Sequence, residues 1–146
     1  MDKASVKANN QVTVYFDGSC PLCRREIGFY KNSTGADQIR WEDISRVLDG
    51  QVAGDLSCQQ AMARFHVRAA DGSLKSGAAA FVELWLSLKN WYWLGWMFAH
   101  PPGVWFLEKC YVGFLRIRPA IQRRIKLRFT KECLMLISFI LQMFHD

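Results

Sequence analysis

Residues 12–23 read VTVYFDGSCPLC, and this stretch decides the fold. Its apolar run, Val12–Phe16, has the composition of a buried strand, and the Asp-Gly pair that follows is a turn signal. Pro21 suits the first position of a helix, because its missing N–H would have no partner there. The stretch therefore predicts a strand, a tight turn and then a helix over residues 21–32.

Two cysteines, Cys20 and Cys23, open this predicted helix. Backbone N–H groups at a helix start are unpaired and carry partial positive charge, so they stabilise a thiolate. The pKa of a thiol in such a position falls from about 8.5 to roughly 3.5–7.5. Cys23 shares a helical stripe with Ile27 and Tyr30, which should face the core. We therefore expect Cys20 to be an exposed attacking thiol and Cys23 a shielded resolving thiol in dithiol–disulfide chemistry.

The composition fits one domain with a substantial core, since 51% of the 146 residues are hydrophobic. The charge is uneven: residues 1–115 hold 12 Lys/Arg and 11 Asp/Glu, whereas residues 116–146 hold 7 and 2. Five cysteines, only two of them closely spaced, do not make a secreted disulfide scaffold. The polar start lacks the apolar segment of a secretory signal, so we expect a cytoplasmic setting, with peripheral membrane contact left open.

Strand and helix patterns alternate along the rest of the chain. Residues 39–44 and 62–69 alternate apolar and polar side chains, as half-buried strands do, and Asp71-Gly72 predicts a hairpin. Ser57 is expected to cap a short helical turn, and Ser76 to cap the helix after the hairpin. This order predicts an α/β fold. It resembles the order of a thioredoxin-like domain, which implies a thioredoxin-like sheet flanked by helices, here with a helical C-terminal extension.

The last third of the chain is aromatic, then basic, then apolar. Pro101-Pro102 is expected to break the aromatic run 91–107 into two short helices, neither long enough to span a membrane. A basic run follows, and it has three open interpretations: a solvated helix face, contact with anionic lipid, or nucleic-acid binding, which the lack of a binding motif disfavours. The run comprises Arg116, Arg118, Arg123, Arg124, Lys126, Arg128 and Lys131.

Residues 15–23, YFDGSCPLC, closely resemble the signature of the DCC family of thiol-disulfide oxidoreductases. The Asp, Cys and Cys of the family name match Asp17, Cys20 and Cys23. The resemblance covers roughly residues 12–120 and implies a thioredoxin-like fold and disulfide exchange, with no metal or organic cofactor. Further similar segments are residues 39–44, 65–72, 77–81 and 111–118.

One departure concerns thioredoxins themselves, which carry a cis-proline facing the dithiol. The segment Leu56–Met62 has no proline, which argues against binding extended peptides in the thioredoxin manner. The implied partners are a disulfide-containing protein or a small thiol, and the reductant is not defined. The rival interpretation is a non-enzymatic interaction or membrane-surface module with the same fold.

Asp17 has three open roles: capping the helix, relaying a proton from Cys23, or shaping the turn beside Gly18. A zinc site would need two more ligands, and the available ones are isolated: Cys58, Cys110, Cys133, His66 and His100. The three further cysteines fit simple apolar roles, with Cys110 buried, and His66 fits a surface or helix-covered position.

We expect three segments in the chain. Residues 1–11 form a flexible arm, residues 12–120 the thioredoxin-like domain, and residues 121–146 a basic and then apolar helical tail. The apolar part, Phe129–Phe144, is expected to pack on the domain, pair with a second copy or lie on an anionic membrane, and to be dispensable for dithiol chemistry.

Overall fold

A computed structural model describes residues 11–47 and 50–127, and all structural statements below refer to these residues. They contain six strands and five α-helices, joined by short 3₁₀ turns. In chain order the elements are β1 (Thr13–Phe16), α1 (Pro21–Lys31), β2 (Arg40–Asp43), β3 (Gln51–Ala53), β4 (Leu56–Ser57), α2 (Cys58–Ala63), β5 (His66–Arg68), β6 (Leu74–Ser76), α3 (Ala78–Ser87), α4 (Tyr92–Phe98) and α5 (Pro101–Leu127). The 3₁₀ turns are Ala36–Gln38, Ile44–Arg46 and Lys89–Trp91.

Four strands form one mixed sheet in the order β2-β1-β5-β6. β1 runs parallel to β2 and antiparallel to β5, and β5 and β6 form the hairpin predicted from Asp71-Gly72. β3 and β4 form a separate two-stranded hairpin. The sheet, its helices and the long C-terminal helix confirm the predicted α/β fold class and are consistent with a thioredoxin-like arrangement.

β1 is one of the two inner strands of the sheet, with β5, and its side chains alternate between two cores. Val14 and Phe16 belong to the larger cluster, which α1 and α3 cover, whereas Tyr15 belongs to a smaller cluster that α2 covers. This alternation follows from the two-residue period of a strand. The larger cluster also contains Ile27, Tyr30, Ala36, Ile39, Val67, Ala80, Leu84 and Leu88, and the smaller one Ile44, Leu56 and Ala61.

The strand predicted over residues 62–69 is shorter than expected, because α2 includes its first two residues and β5 is only His66–Arg68. Ser57 caps α2 as predicted, and the reciprocal hydrogen bonds between Ser57 and Gln60 form a capping box. This start signal carries the helix through Ala63 and overrides the alternating pattern. The cap of α3 is Gly77 rather than Ser76, because Ser76 ends β6 and the N–H of Gly77 binds the carbonyl of Phe65.

Pro101 does begin a new helix, but the second helix is not short. α5 is 27 residues long and carries Pro119 in its interior. Cys110 is exposed on it, contrary to the prediction of burial, because it lies on the outward side of α5 while Tyr111 is buried. Among the described helices, none is both long and apolar enough to cross a membrane.

The described residues divide into two compact units, with the boundary between Gly113 and Phe114. The first contains the whole sheet, α1 to α4 and the first half of α5. The described part of the second is the remainder of α5. The predicted arm (1–11), apart from its last residue, and the predicted apolar tail from Phe129 lie outside the described residues. The three-segment division therefore stays a prediction.

Candidate active site

The loop between β1 and α1 is built on an Asp-centred turn. The Oδ1 atom of Asp17 accepts hydrogen bonds from the backbone N–H of Ser19 at 2.9 Å and from its hydroxyl at 2.5 Å. The carbonyl of Asp17 also accepts the N–H of Cys20 at 3.3 Å. These contacts are those of a turn-forming residue, and they fix the path of the chain into α1. The capping and proton-relay roles of Asp17 stay predictions.

Cys20 is the N-cap of α1, and Pro21 occupies the first helical position, as predicted. The Sγ atom of Cys20 accepts the backbone N–H of Cys23 at 3.4 Å. This contact is the sulfur equivalent of the usual oxygen cap. It places Sγ of Cys20 against the positive end of the helix, where a thiolate is stabilised.

The burial of the two cysteines is the reverse of the prediction. Cys20 is only 3% exposed, whereas Cys23 is partly exposed. The expectation of an exposed Cys20 was therefore wrong. Cys20 is buried because it caps the helix. Its extended backbone (φ −82°, ψ 116°) turns the sulfur back under the first turn of α1, toward the N–H of Cys23.

Asp43 is a site residue that sequence reasoning missed. Its Oδ1 atom accepts the N–H of Gly18 at 3.0 Å, and also the N–H and hydroxyl of Ser45 at 3.0 and 2.6 Å. The parallel register pairs Phe16 with Asp43, so the ends of β1 and β2 lie side by side. An Asp-x-Ser pattern at the end of β2, beginning with its last residue, was the available signal.

The carboxylate of Asp43 fits tightly against the loop at Gly18 and favours its charged form. Partial burial on its own would raise the pKa of Asp43, but the hydrogen bonds from Ser45 and Gly18 and the charge of Arg46 together hold that pKa below its ordinary value. A Cβ atom built on Gly18 would overlap the Asp43 carboxylate. Position 18 therefore has to be glycine for the hydrogen bond between its N–H and Asp43 to form.

His66 lies in the sheet rather than at the surface. It is 8% exposed and pairs across the sheet with Tyr15, on the face that α2 covers, in agreement with the helix-covered alternative. Its Nδ1 atom lies 2.8 Å from the carbonyl oxygen of Arg64. Burial lowers the pKa of His66, so the ring favours the neutral form.

A second polar cluster lies where β5 begins, next to the end of β1. Glu108 of α5 pairs with the Arg64 guanidinium through Oε1, and its Oε2 accepts the N–H of Ala78 at the start of α3 at 2.9 Å. The hydroxyl of Tyr111 accepts the N–H of Phe65 at 2.8 Å. These contacts, which sequence reasoning also missed, attach α5 to the end of the sheet that carries the dithiol loop.

An open cleft of about 630 Å³ adjoins this cluster. Its lining combines the Arg64–Glu108 pair with small and apolar groups: Ser76, Ala79, Ala99, Pro101, Val104 and Trp105. β5 runs antiparallel to β1, with His66 opposite Tyr15, so Arg64 and the dithiol loop lie at the same end of the sheet.

The other candidate ligands do not assemble into a site. Cys58 is partly buried and its sulfur lies 3.7 Å from the carbonyl oxygen of Val47, whereas Cys110 is exposed. Cys133 lies outside the described residues. In residues 11–47 and 50–127, no group of three His, Cys, Asp or Glu side chains could hold a metal ion. None of the described peptide bonds is cis.

The model of the DCC1-like thiol-disulfide oxidoreductase family matches residues 14–124. The match covers more than half of the chain and includes the dithiol, all of the sheet except Thr13, and most of α5. No curated protein and no solved structure shows significant similarity to the chain.

Proposed function

The chain belongs to the DCC1-like thiol-disulfide oxidoreductase family, and from this premise we propose that Cys20 and Cys23 exchange electrons with a disulfide substrate. One observation carries the proposal. The sulfur of Cys20 caps α1 and accepts the N–H of Cys23 at 3.4 Å, at the end of the loop that follows β1. This is the environment in which a thiol becomes a thiolate near neutral pH.

The reaction proceeds in two exchanges. The Cys20 thiolate attacks one sulfur of the substrate disulfide, forms a mixed disulfide and releases the other substrate sulfur as a thiolate, which takes up a proton. Cys23 then loses its proton and attacks the Cys20 sulfur of that mixed disulfide. The products are the second substrate thiol and a Cys20–Cys23 disulfide, so two electrons pass from the dithiol to the substrate. A partner dithiol or a small thiol restores the reduced protein.

We assign the attacking role to Cys20 because the thiolate fraction controls the rate of exchange, and the helix end favours the thiolate of Cys20. The exposures favour the opposite order, since Cys23 is the more accessible of the two. Asp17 is proposed as the residue that shapes the loop, through its bonds to Ser19, and Asp43 as the residue that holds it, through Gly18.

The substrate class is a protein disulfide or a small-molecule disulfide, in a reducing, cytoplasmic compartment. The absence of proline in Leu56–Met62 favours substrates other than extended peptides held in the thioredoxin manner. The alternative is a non-enzymatic module that keeps the fold. The two differ in one measurable property, because only an oxidoreductase needs a dithiol whose oxidation is reversible at a cellular redox potential.

A glutathione redox titration with peptide mapping tests the proposal. We expect one reversible intramolecular disulfide, between Cys20 and Cys23, while Cys58, Cys110 and Cys133 stay reduced. The Cys23→Ser protein should then accumulate a mixed disulfide on Cys20, with Cys58→Ser as the matched control that traps nothing. Stoichiometric zinc in protein purified without chelator, or no reversible Cys20–Cys23 disulfide, would reject the proposed function.

A further inference from the structure

α4 directs large apolar side chains toward solvent. Only Leu94 and Gly95 of α4 are buried, on the face that packs on α3. The two helices are close together there, since a Cβ on Gly95 would lie 2.8 Å from the backbone nitrogen of Leu86. A helix on the surface of a globular protein normally turns polar residues outward. Here the outward face consists of Tyr92, Trp93, Trp96 and Met97, which are 54%, 45%, 64% and 39% exposed.

The first turns of α5 also expose large apolar side chains to solvent. Trp105 and Phe106 are 63% and 58% exposed. The two helices approach each other closely there, since a Cβ on Gly103 would lie 3.1 Å from the Cα atom of Phe98. We refer to the exposed side chains of Tyr92, Trp93, Trp96, Met97, Trp105 and Phe106 as the aromatic surface.

The segment that forms the aromatic surface is poor in charge, and the exposed charged residues next to it in the sequence are lysines. Residues 90–107 contain no Asp, Glu, Lys or Arg, and between Glu83 and Glu108 the only charged residue is Lys89. Lys109 stands at the other border, with its Nζ atom 5.5 Å from the centre of the Trp105 ring. Lys89 and Lys109 are both exposed, so the aromatic surface has cationic neighbours at its two ends.

We propose that the aromatic surface docks the protein onto an anionic lipid bilayer, independently of the dithiol chemistry. Trp and Tyr are the side chains that favour the headgroup level of a membrane, where one part of the ring is apolar and another is wet. Bordering lysines complement anionic headgroups, each by about 1 kcal/mol. A symmetric dimer through the same surface would instead bring Lys89 and Lys109 of one copy near those of the other, which like-charge repulsion opposes.

Cosedimentation of the full chain with vesicles tests this docking. We expect binding to phosphatidylserine-containing vesicles and weak binding to pure phosphatidylcholine. Trp96→Ser/Trp105→Ser should weaken the binding about tenfold or more, because each lost indole removes apolar area that the bilayer would bury. Met62→Ser is the matched control, since Met62 is also exposed but lies on α2, across the sheet from α3. It should bind like the unaltered chain.

A second variant tests the proposal even if Trp96→Ser/Trp105→Ser does not fold. Lys89→Gln/Lys109→Gln leaves the aromatic rings in place and should weaken binding to anionic vesicles about thirtyfold, with no change in the thermal unfolding midpoint. Brominated lipids should quench the tryptophan fluorescence of the unaltered chain. The proposal is overturned if the unaltered chain does not bind the vesicles, or if Trp96→Ser/Trp105→Ser binds them equally well. It is also overturned if, without lipid, the unaltered chain is a dimer and this double variant is a monomer.

Discussion

The carboxylate of Asp43 accepts a hydrogen bond from the backbone N–H of Gly18 at 3.0 Å, across 25 positions of the chain. The contact exists because β1 and β2 run parallel, so that their carboxyl ends lie at the same edge of the sheet. It connects the end of β2 to the loop that leads into Cys20. Changes at either residue should therefore affect both the stability of the fold and the reactivity of the dithiol.

The first prediction concerns Gly18→Ala. A methyl group at this position overlaps the Asp43 carboxylate, so the loop or β2 has to move. We expect a loss of about 1–3 kcal/mol in the free energy of unfolding, measured by urea denaturation, together with a changed alkylation rate of Cys20.

Gly28→Ala is the matched control for that substitution. Gly28 lies inside α1, and nothing lies within 4 Å of a Cβ built there. Alanine should stabilise the protein by roughly 0.5–1 kcal/mol through helix propensity. Equal destabilisation by both substitutions would show that the loop is insensitive to the Asp43 contact.

The second prediction is a pH dependence that Asp43 produces. Because the pKa of Asp43 is lowered in the folded state, folding favours its charged form. The resulting stabilisation is fully present above the ordinary pKa of 3.8 and is lost as the pH falls through the lower folded value. The stability difference between the unaltered chain and Asp43→Asn should therefore shrink as the pH falls below about 4.

Urea denaturation of both proteins at a series of pH values measures this difference. Other carboxylates with lowered pKa values, such as Asp55 and Glu108, are present in both proteins and cancel from the comparison. A difference that stays constant down to about pH 3 would mean that the folded state does not favour the charged form of Asp43.

The third prediction orders the two thiols. Alkylation of the reduced protein, followed by mass spectrometry, should show Cys20 with an apparent pKa below about 7.5 and with the higher thiolate reactivity. The reason is its cap contact with the N–H of Cys23. Because Cys20 is only 3% exposed, a bulky reagent reaches it poorly. The alkylation rate of Cys20 relative to that of Cys23 should therefore be higher with a small reagent than with a bulky one. Faster reaction of Cys23 with a small reagent at every pH would reverse the assigned roles.

The fourth prediction concerns the attachment of α5. Glu108→Ala removes the partner of Arg64 and the acceptor for the N–H of Ala78, both partly buried. We expect a loss of about 1–3 kcal/mol in the free energy of unfolding.

Glu42→Ala serves as the comparison, because Glu42 pairs with Arg40 at 2.5 Å in a more exposed position. Its loss should cost less than about 1 kcal/mol. Similar losses for the two variants would show that Glu108 does not hold α5 against the sheet.

The sequence predicted the elements whose signals are local. β1, the turn and α1 lie within twenty residues, and Pro21 and the cap at Cys20 mark the helix start without reference to the rest of the chain. The hairpin of β5 and β6 is local in the same sense. Where two local signals competed, as in residues 62–69, the capping box prevailed and the alternating pattern was misleading.

The contacts that hold the site could not be predicted in this way. Asp43 reaches Gly18 across 25 positions and Glu108 reaches Arg64 across 44, so both depend on the strand order and on the rotation of α5. The same rotation decided that Cys110 is exposed, although Tyr111, the next residue, is buried. A periodic pattern identifies a helix, whereas the side that meets the sheet depends on partners distant in the chain.

The inner strand β1 is the first of the described strands in the chain, and its antiparallel partner β5 comes more than fifty positions later. During synthesis, β1 and both cysteines therefore leave the ribosome well before the residues that flank β1 on its second side. Until β5 emerges, the sheet cannot form on that side of β1, so we expect oxidants to reach the two thiols most readily before β5 has left the ribosome. Pulsed alkylation of ribosome-bound chains, arrested with residue 68 either inside or outside the exit tunnel, would measure that interval.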